Sequence, residues 1–272
     1  GKATGQMSKK WVFVGFPTQG QSVKESLMEN GNIKSTGYGV QITGAGGTVS
    51  GFDLASPSPS MKYYNESNGT WTGIAKTSDP VYDAKGYMIF VRGDRSVDGK
   101  TITDPNPTNL RTKGKLILGD QVLTLPANNM FASVANPFAS DVDVRNVIQS
   151  TGSDFFYVWN PLLGGNYGYG DYEFCLKMGN DFYTFPRGQK SNFIKSGQAF
   201  FIQTAKTAST LTIKESSKAS ANAGQNQRPQ GVSEKTAQIR TALYGVASDG
   251  TSALVDGTIQ QFSGSFSNDI NE

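Results

Sequence analysis

The sequence contains no histidine, and its single cysteine is Cys175. A Ser-His-Asp triad, a Cys-His dyad and a histidine-bound zinc site therefore cannot be built from these residues. One cysteine also excludes a disulfide framework within the chain, although it does not exclude an oxidising location. Because Cys175 lies in a strand-like run, we expect it to be a small buried hydrophobic side chain. These absences favour a protein that is not an enzyme.

Charge and long apolar runs are scarce as well. Charged residues make up 17% of the chain, and 25 Lys and Arg against 22 Asp and Glu give a net charge of +3. This small excess forms no basic stripe, so nucleic acid is not an expected partner. No apolar run approaches the ~20 residues that a helix needs to span a bilayer. The chain starts at Gly1 and shows no signal peptide, so we expect a piece of a longer protein.

Turn formers and strand formers are abundant. The 32 glycines and 11 prolines predict frequent turns, and aromatic residues make up 11% of the chain. Runs rich in Val, Ile, Thr, Tyr and Phe lie between the turn signals, as is typical of strands. Long helical stretches rich in Glu, Lys and Arg are absent. The sequence therefore predicts an all-β fold with two short helices.

Two segments of the chain share the same opening. Residues 11–17 (WVFVGFP) form an apolar run stopped by proline, and residues 131–137 (FASVANP) have the same shape. A short helix is predicted after each proline. Ser22 and Glu25 fit a capping box at the start of the first helix, and Asp143 is the expected N-cap of the second. This agreement is the first sign of an internal repeat.

The parallel continues along both segments. Three further pairs follow in the same order: 61–65 with 156–160, 85–91 with 196–202, and 109–114 with 210–215. The first pair are aromatic strands that run into an Asn-led turn. The second pair are apolar runs after a glycine, as expected of strands buried on both faces. The shared order predicts two diverged copies of one β-rich unit.

We divide the sequence accordingly into four parts. Residues 1–122 form the first β repeat and residues 123–215 the second, each expected to be sandwich-like or barrel-like. Residues 115–125 between them predict a hairpin on a two-residue turn. Residues 216–231 have the composition of a flexible linker, and residues 232–272 are interpreted as the start of a further β module. The sequence leaves open whether the copies are separate domains or halves of one pseudo-symmetric body.

Several motifs along the chain carry a resemblance to known proteins. They are 85–87 (KGY), 90–95 (FVRGDR), 108–114 (TNLRTKG), 134–140 (VANPFAS), 157–161 (YVWNP) and 196–201 (SGQAFF). They resemble a family of very large secreted and cell-surface proteins of gliding and anaerobic Bacteroidetes-type bacteria. In that family, such a segment often precedes a C-terminal sorting domain that the type nine secretion system reads. The tail from Ile239 to Asn268 is similar to the stretch that follows in those proteins.

The resemblance implies export across the outer membrane by the secretion machinery and display at the extracellular surface. It further implies a role in an adhesin or in gliding motility. No catalytic residues come with the matching motifs. The sorting domain itself is not recognisable in this sequence, so the mode of attachment stays open.

Candidate ligand-binding residues lie in a glycine-rich aromatic run. Tyr167, Tyr169 and Tyr172 follow one another closely between glycines. Tyrosines on such a loop present flat rings to a sugar or to another protein at low entropic cost. Trp159, at the start of the run, falls on a duplicated strand and is expected in the core.

Asp94, Asp98 and Asp104 are a candidate structural calcium site. Carboxylate oxygens are ligands that calcium prefers, but this spacing matches no EF-hand loop. Turn formation is the competing interpretation. Asp94 also ends the tripeptide Arg92-Gly93-Asp94, which integrins read; we expect a turn closed by an Arg–Asp contact instead. No other cofactor is expected.

The leading hypothesis is a non-catalytic structural or adhesive module of an exported bacterial cell-surface protein. Its partners would be a surface glycan or another surface protein. The alternative is a carbohydrate-binding module that uses the aromatic glycine-rich loop. The third is a glycoside hydrolase fragment, because paired carboxylates cleave glycosides without histidine. Glu173 is the glutamate that lies amid aromatic residues.

Overall fold

The computed structural model describes residues 9–29, 39–81, 84–96, 108, 110–127, 129–148, 153–163, 170–207, 209–219, 237–246 and 252–262. The chain divides into two compact units. The first contains both sequence repeats, and the second contains the C-terminal strands.

Strands make up most of the regular structure. The first repeat comprises β1 (Lys10–Val14), β2 (Thr18–Gln19), α1 (Val23–Ser26), β3 (Thr43–Gly44), β4 (Leu54–Ala55), β5 (Met61–Asn65), β6 (Thr70–Gly73), β7 (Tyr87–Val91) and β8 (Lys115–Leu116). The second comprises β9 (Gln121–Leu125), β10 (Phe131–Ala135), β11 (Val142–Asp143), α2 (Val144–Ile148), β12 (Phe155–Asn160), β13 (Asp171–Met178), β14 (Asp181–Phe185), β15 (Gln189–Lys190), β16 (Phe193–Ile194), β17 (Ala199–Gln203) and β18 (Ser209–Ile213). The prediction of an all-β fold with short helices is confirmed. Within the described ranges, neither α-helix has the length or the apolar character of a membrane span.

The main sheets of the two repeats have the same strand order. Sheet 1 runs β1-β7-β5-β6, and sheet 2 runs β10-β17-β12-β13 and continues with β14 and β15. All of these pairings are antiparallel. The four shared strands occupy equivalent places, in agreement with the duplication.

The two short helices are attached to their sheets in the same way. The N–H of Val23 donates to the carbonyl of Asp79 at 3.0 Å, and that of Val144 donates to the carbonyl of Asn192 at 2.8 Å. The capping box of the first helix is present, since Ser22 and Glu25 satisfy each other's backbone N–H groups. At the second helix, the Asp143 carboxylate accepts a hydrogen bond from the backbone N–H of Arg145. Both predicted helix starts are confirmed.

The registers correct one part of the sequence alignment. Val14 pairs with Tyr87 in sheet 1, and the equivalent Val134 pairs with Phe200 in sheet 2. Gly86 therefore corresponds to Ala199 and not to Gly197. The glycines suggested the wrong register, because register depends on which side chains face the core.

Each sheet has one face covered by its own helix and loops. In the first repeat, Val23 and Leu27 pack with Ile89 in one buried apolar cluster. In the second, Val147 and Phe200 belong to a larger cluster that also includes Cys175, which is fully buried as predicted. Burial of these apolar faces is the main stabilising contribution to each repeat.

The other faces of the two sheets pack against each other. Phe13 and Met88 of sheet 1 share a buried cluster with Ala135, Ala199 and Phe201 of sheet 2. The rings of Phe13 and Phe201 lie 5.0 Å apart between their centres. The copies are therefore halves of one body. Each supplies one open sheet, so the sandwich is built from both repeats and not within each one.

A seam of backbone hydrogen bonds joins the copies with approximate two-fold symmetry. The N–H of Gly15 donates to the carbonyl of Gly197, and the N–H of Ala135 donates to that of Ala84, both at 2.9 Å. A Cβ atom added to Gly15 would lie 2.0 Å from the Cβ of Ala135. Glycine is required here by close approach of the two copies, not by an unusual backbone angle.

The predicted hairpin at residues 115–125 is wrong. β8 pairs with β2, and β9 pairs with β18. The two segments thus find partners in different repeats, which alternating side chains alone do not specify. The boundary predicted between residues 122 and 123 falls inside β9.

The second unit contains a long antiparallel pair. β19 (Ala237–Val246) pairs with β20 (Ser252–Phe262), and the register shifts between Leu243 and Tyr244. Strands were predicted in both places. Most of the predicted linker at 216–231 lies outside the described residues, apart from 216–219 at its start.

Candidate functional site

An aromatic groove opens where the two sheets face each other. Its volume is about 330 Å³. Six aromatic side chains line it: Tyr64, Trp71, Phe131, Tyr157, Tyr172 and Phe201. We refer to these six residues as the aromatic groove. The first two come from sheet 1 and the other four from sheet 2, so neither copy forms the site alone.

The alternation of side chains along the strands explains why these rings converge. Tyr64 on β5 lies directly opposite Trp71 on β6, so both rings project from the same face of sheet 1. In sheet 2, Tyr157 is paired with Phe201 on one side and with Phe174 on the other. Aromatic residues at every second position thus build a continuous ring-covered face.

The rings form a box around Phe201. Four side chains stand steeply to the Phe201 ring: Tyr64 at 72°, Trp71 at 66°, Phe131 at 66° and Tyr172 at 60°. Phe201 is itself buried and forms the floor. These contacts bring aromatic side chains of both sheets together around Phe201.

The tyrosine hydroxyls of the groove are held in the neutral form. Burial raises the pKa of Tyr64, Tyr157 and Tyr172, most strongly that of Tyr172. The Tyr172 hydroxyl oxygen is buried, and the indole N–H of Trp71 lies near enough to oppose the rise in its pKa. A raised pKa disfavours the phenolate form of these hydroxyls.

Of the three tyrosines predicted to bind a ligand, Tyr172 lines the groove. Tyr167 and Tyr169 lie outside the described residues. Trp159 packs on Tyr172 at 4.9 Å between ring centres, and its indole N–H donates to the carbonyl of Trp11 at 2.7 Å. Trp159 therefore lies in the contact between the two copies. This location is close to the core position that the sequence predicts.

The other groove residues were missed from the sequence. Tyr64, Phe131, Tyr157 and Phe201 lie on predicted strands for which no binding role is predicted. Trp71 is not among the candidate residues. Aromatic residues at every second position were visible in the sequence. Which face they occupied, and which face they met, depended on how the two copies pack.

The candidate calcium site is described at one of its three carboxylates. Asp94 is only 3% exposed, and its carboxylate accepts hydrogen bonds from the backbone N–H and the hydroxyl of Ser96. Asp98 and Asp104 lie outside the described residues. Among the described residues, no group of three or more metal-ligating side chains is present. The calcium prediction stays a prediction.

The Arg92-Gly93-Asp94 turn contains a contact between Asp94 and Ser96. The expected contact between an arginine and Asp94 stays a prediction. Arg92 lies over the ring of Phe90 at 5.1 Å. Because the Asp94 carboxylate is buried, it is not presented to a receptor such as an integrin.

The groove contains no carboxylate among its lining residues. Glu173 is buried, but its neighbour Tyr172 points into the groove, so Glu173 faces the opposite side of the strand. A pair of carboxylates across a cleft would be needed for glycoside hydrolysis. No such pair lines the groove.

Comparisons of the chain with protein-family models, with curated proteins and with solved structures found no match. The functional argument therefore depends on the chemistry of the groove and on the sequence.

Proposed function

We propose that the chain is a non-catalytic adhesive module of an exported bacterial cell-surface protein, which holds its ligand in the aromatic groove. The observation that carries this proposal is the groove itself, in which six aromatic side chains from two sheets surround about 330 Å³. Large rings contribute much contact area and lose little conformational entropy on binding. A site of this composition provides affinity without reactive groups.

The chemistry of the chain supports binding over catalysis. The sequence has no histidine. The groove tyrosines are kept protonated by burial, which raises the pKa of each. The module acts as a rigid scaffold that positions the rings.

A carbohydrate-binding module is the second candidate. The ring-lined groove favours it, because aromatic faces stack on the apolar faces of sugars. The groove, formed by both sheets, takes the place of the loop as the proposed sugar site, with Tyr172 common to both.

The adhesive role is tested by attachment of the whole chain to defined surfaces. Beads that carry the chain are passed over cellulose, chitin, mucin and fibronectin, and retention is counted. We expect retention on at least one surface, loss of retention for Trp71→Leu, and no change for Leu118→Ala, an exposed residue outside the groove. Competition by soluble oligosaccharides identifies the sugar-binding candidate. Retention that is unaffected by Trp71→Leu, or release of cleaved products, contradicts the proposal.

Export and surface display rest on the resemblance of the sequence motifs. Antibodies against the chain are expected to label intact source cells and to lose this label when type nine secretion is disabled. Labelling that requires cell lysis would refute this part of the proposal.

A further inference from the structure

The aromatic groove has a counterpart related by the approximate two-fold symmetry of the copies. The paired registers place Phe131 at the position of Trp11, Tyr157 at that of Lys62, and Phe201 at that of Met88. The pair Tyr64 and Trp71 exchanges with the pair Trp159 and Tyr172. Every groove residue therefore has an equivalent, and the two sets of residues can be compared position by position.

The counterpart already holds an ammonium group. The Nζ atom of Lys62 lies 4.9 Å from the centre of the Trp11 ring. A cation within about 6 Å of a ring face is attracted by the negative electrostatic potential of that face. In the first copy, the chain thus supplies its own cation to the ring.

The groove has the rings but no such cation of its own. Tyr157 replaces Lys62, and none of the six lining residues is positively charged. Asp171 lies close enough to add to the raised pKa of Tyr172. Its negative charge acts on the groove in the direction that attracts cations, whereas the charge of Glu66 near Tyr64 is offset by an ion pair with Lys85 at 2.7 Å.

We propose that the aromatic groove binds an organic cation, namely an ammonium group that carries apolar substituents, such as a trimethylammonium head. The six aromatic side chains around the groove match a compact charge that needs few hydrogen bonds, and their apolar surfaces match its methyl groups. A sugar would require more polar partners than the three tyrosine hydroxyls and one indole N–H of the groove. This inference rests on the proposed function, since it names the ligand class of the same site.

The test compares two probes of the same shape. The whole chain is titrated with choline and with its uncharged analogue that has carbon in place of nitrogen. Binding is followed by calorimetry and by the fluorescence change that Trp71 confers. We expect choline to bind about 10-fold or more tightly than the uncharged analogue, as a desolvated cation–π site requires. Equal binding of the two probes overturns the cation proposal.

A variant in the groove imitates the first copy. Tyr157→Lys places an ammonium where Lys62 has one, so we expect it to abolish choline binding. Leu118→Ala, at an exposed residue outside the groove, is the control and is expected to bind choline within about two-fold of the unchanged chain. Circular dichroism and thermal melting of both variants establish that they are folded. If Tyr157→Lys is folded and still binds choline normally, the assignment to the groove is wrong.

The outcomes separate this inference from the proposed function. If the beads are retained on a glycan surface, retention is lost in Trp71→Leu, and the chain does not bind choline, then the ligand class is wrong and the adhesive groove stands. If neither choline nor any tested surface binds, both proposals fail. Choline binding that is lost in Tyr157→Lys supports both.

Discussion

The two copies have different side chains at the equivalent position next to the seam. Phe16 and Asn136 each follow directly after the equivalent residues Gly15 and Ala135 at the seam. Phe16 is buried, and its ring lies 5.6 Å from that of Tyr87. Asn136 is 0% exposed, and its amide donates to three backbone carbonyls while its side-chain oxygen accepts from a backbone N–H. The equivalent position therefore holds an apolar ring in one copy and a hydrogen-bonding amide in the other, provided that the buried backbone groups are paired.

The two copies also differ in the interactions that stabilise their loops. In the first copy, Arg95 forms a two-pronged ion pair with Asp53 and donates to the carbonyl of Met28. The side chains of this pair are 7% and 2% exposed. In the second copy, the pair of Arg145 and Asp143 is more exposed, and a larger apolar cluster contributes more of the packing. One copy depends on a buried charge pair where the other depends on apolar burial.

The largest expected effect is therefore confined to the first copy. Arg95→Ala leaves the Asp53 carboxylate buried without its partner. We expect the free energy of unfolding to fall by about 3 to 5 kcal/mol, as for other broken buried pairs. Urea unfolding followed by tryptophan fluorescence measures this change.

A double variant is the matched control. Replacing both partners, as Arg95→Met with Asp53→Leu, removes the buried charges together and is expected to recover most of the lost stability. If the free energy of unfolding of Arg95→Ala falls by less than about 1 kcal/mol, the pair is accessible to water and contributes little to the stability of the first copy.

The seam gives a prediction that tests the equivalence of the copies. In Gly15→Ala, the new Cβ atom would collide with that of Ala135, since only 2.0 Å separates them. Overpacking of this kind destabilises by about 1 to 3 kcal/mol. Thermal and urea unfolding of the variant measure the cost.

The exchanged variant sharpens the test. Adding Ala135→Gly to Gly15→Ala moves the methyl group to the equivalent position of the other copy. We expect it to restore all but about 1 kcal/mol, the cost of a glycine within a strand. If the second change adds its own loss without any recovery, the two positions do not face each other as described.

Local features could be predicted from the sequence, whereas features that join distant segments could not. The capping box of Ser22 and Glu25 depends on four consecutive residues, and it was found where expected. The partner of β9 is β18, which lies far along the chain, and the predicted hairpin missed it. The groove was missed for the same reason, because Trp71 and Phe201 meet only when the copies pack. Tyr172 was selected from its aromatic surroundings, which carried no information on its neighbours in space.

The smallest expected effect is a pH dependence of stability that comes from the start of the first helix. Hydrogen bonds from the backbone N–H and the hydroxyl of Ser22 lower the pKa of Glu25. Because this pKa is lower in the folded state than in the unfolded state, the ionised carboxylate stabilises the fold above the unfolded value of about 4.3. That contribution is lost as the pH falls through the folded pKa.

Glu25→Gln is therefore expected to lower the urea midpoint slightly at pH values near 7 and to leave it unchanged in acid, below the folded pKa. Ser22→Ala removes the donor hydroxyl from the same box and should weaken the same pH-dependent difference. Lys24→Gln, on the same helix turn but outside the box, is the control and should show no such difference. A gap between the unchanged chain and Glu25→Gln that persists equally at both pH values would assign the effect to packing of the side chain.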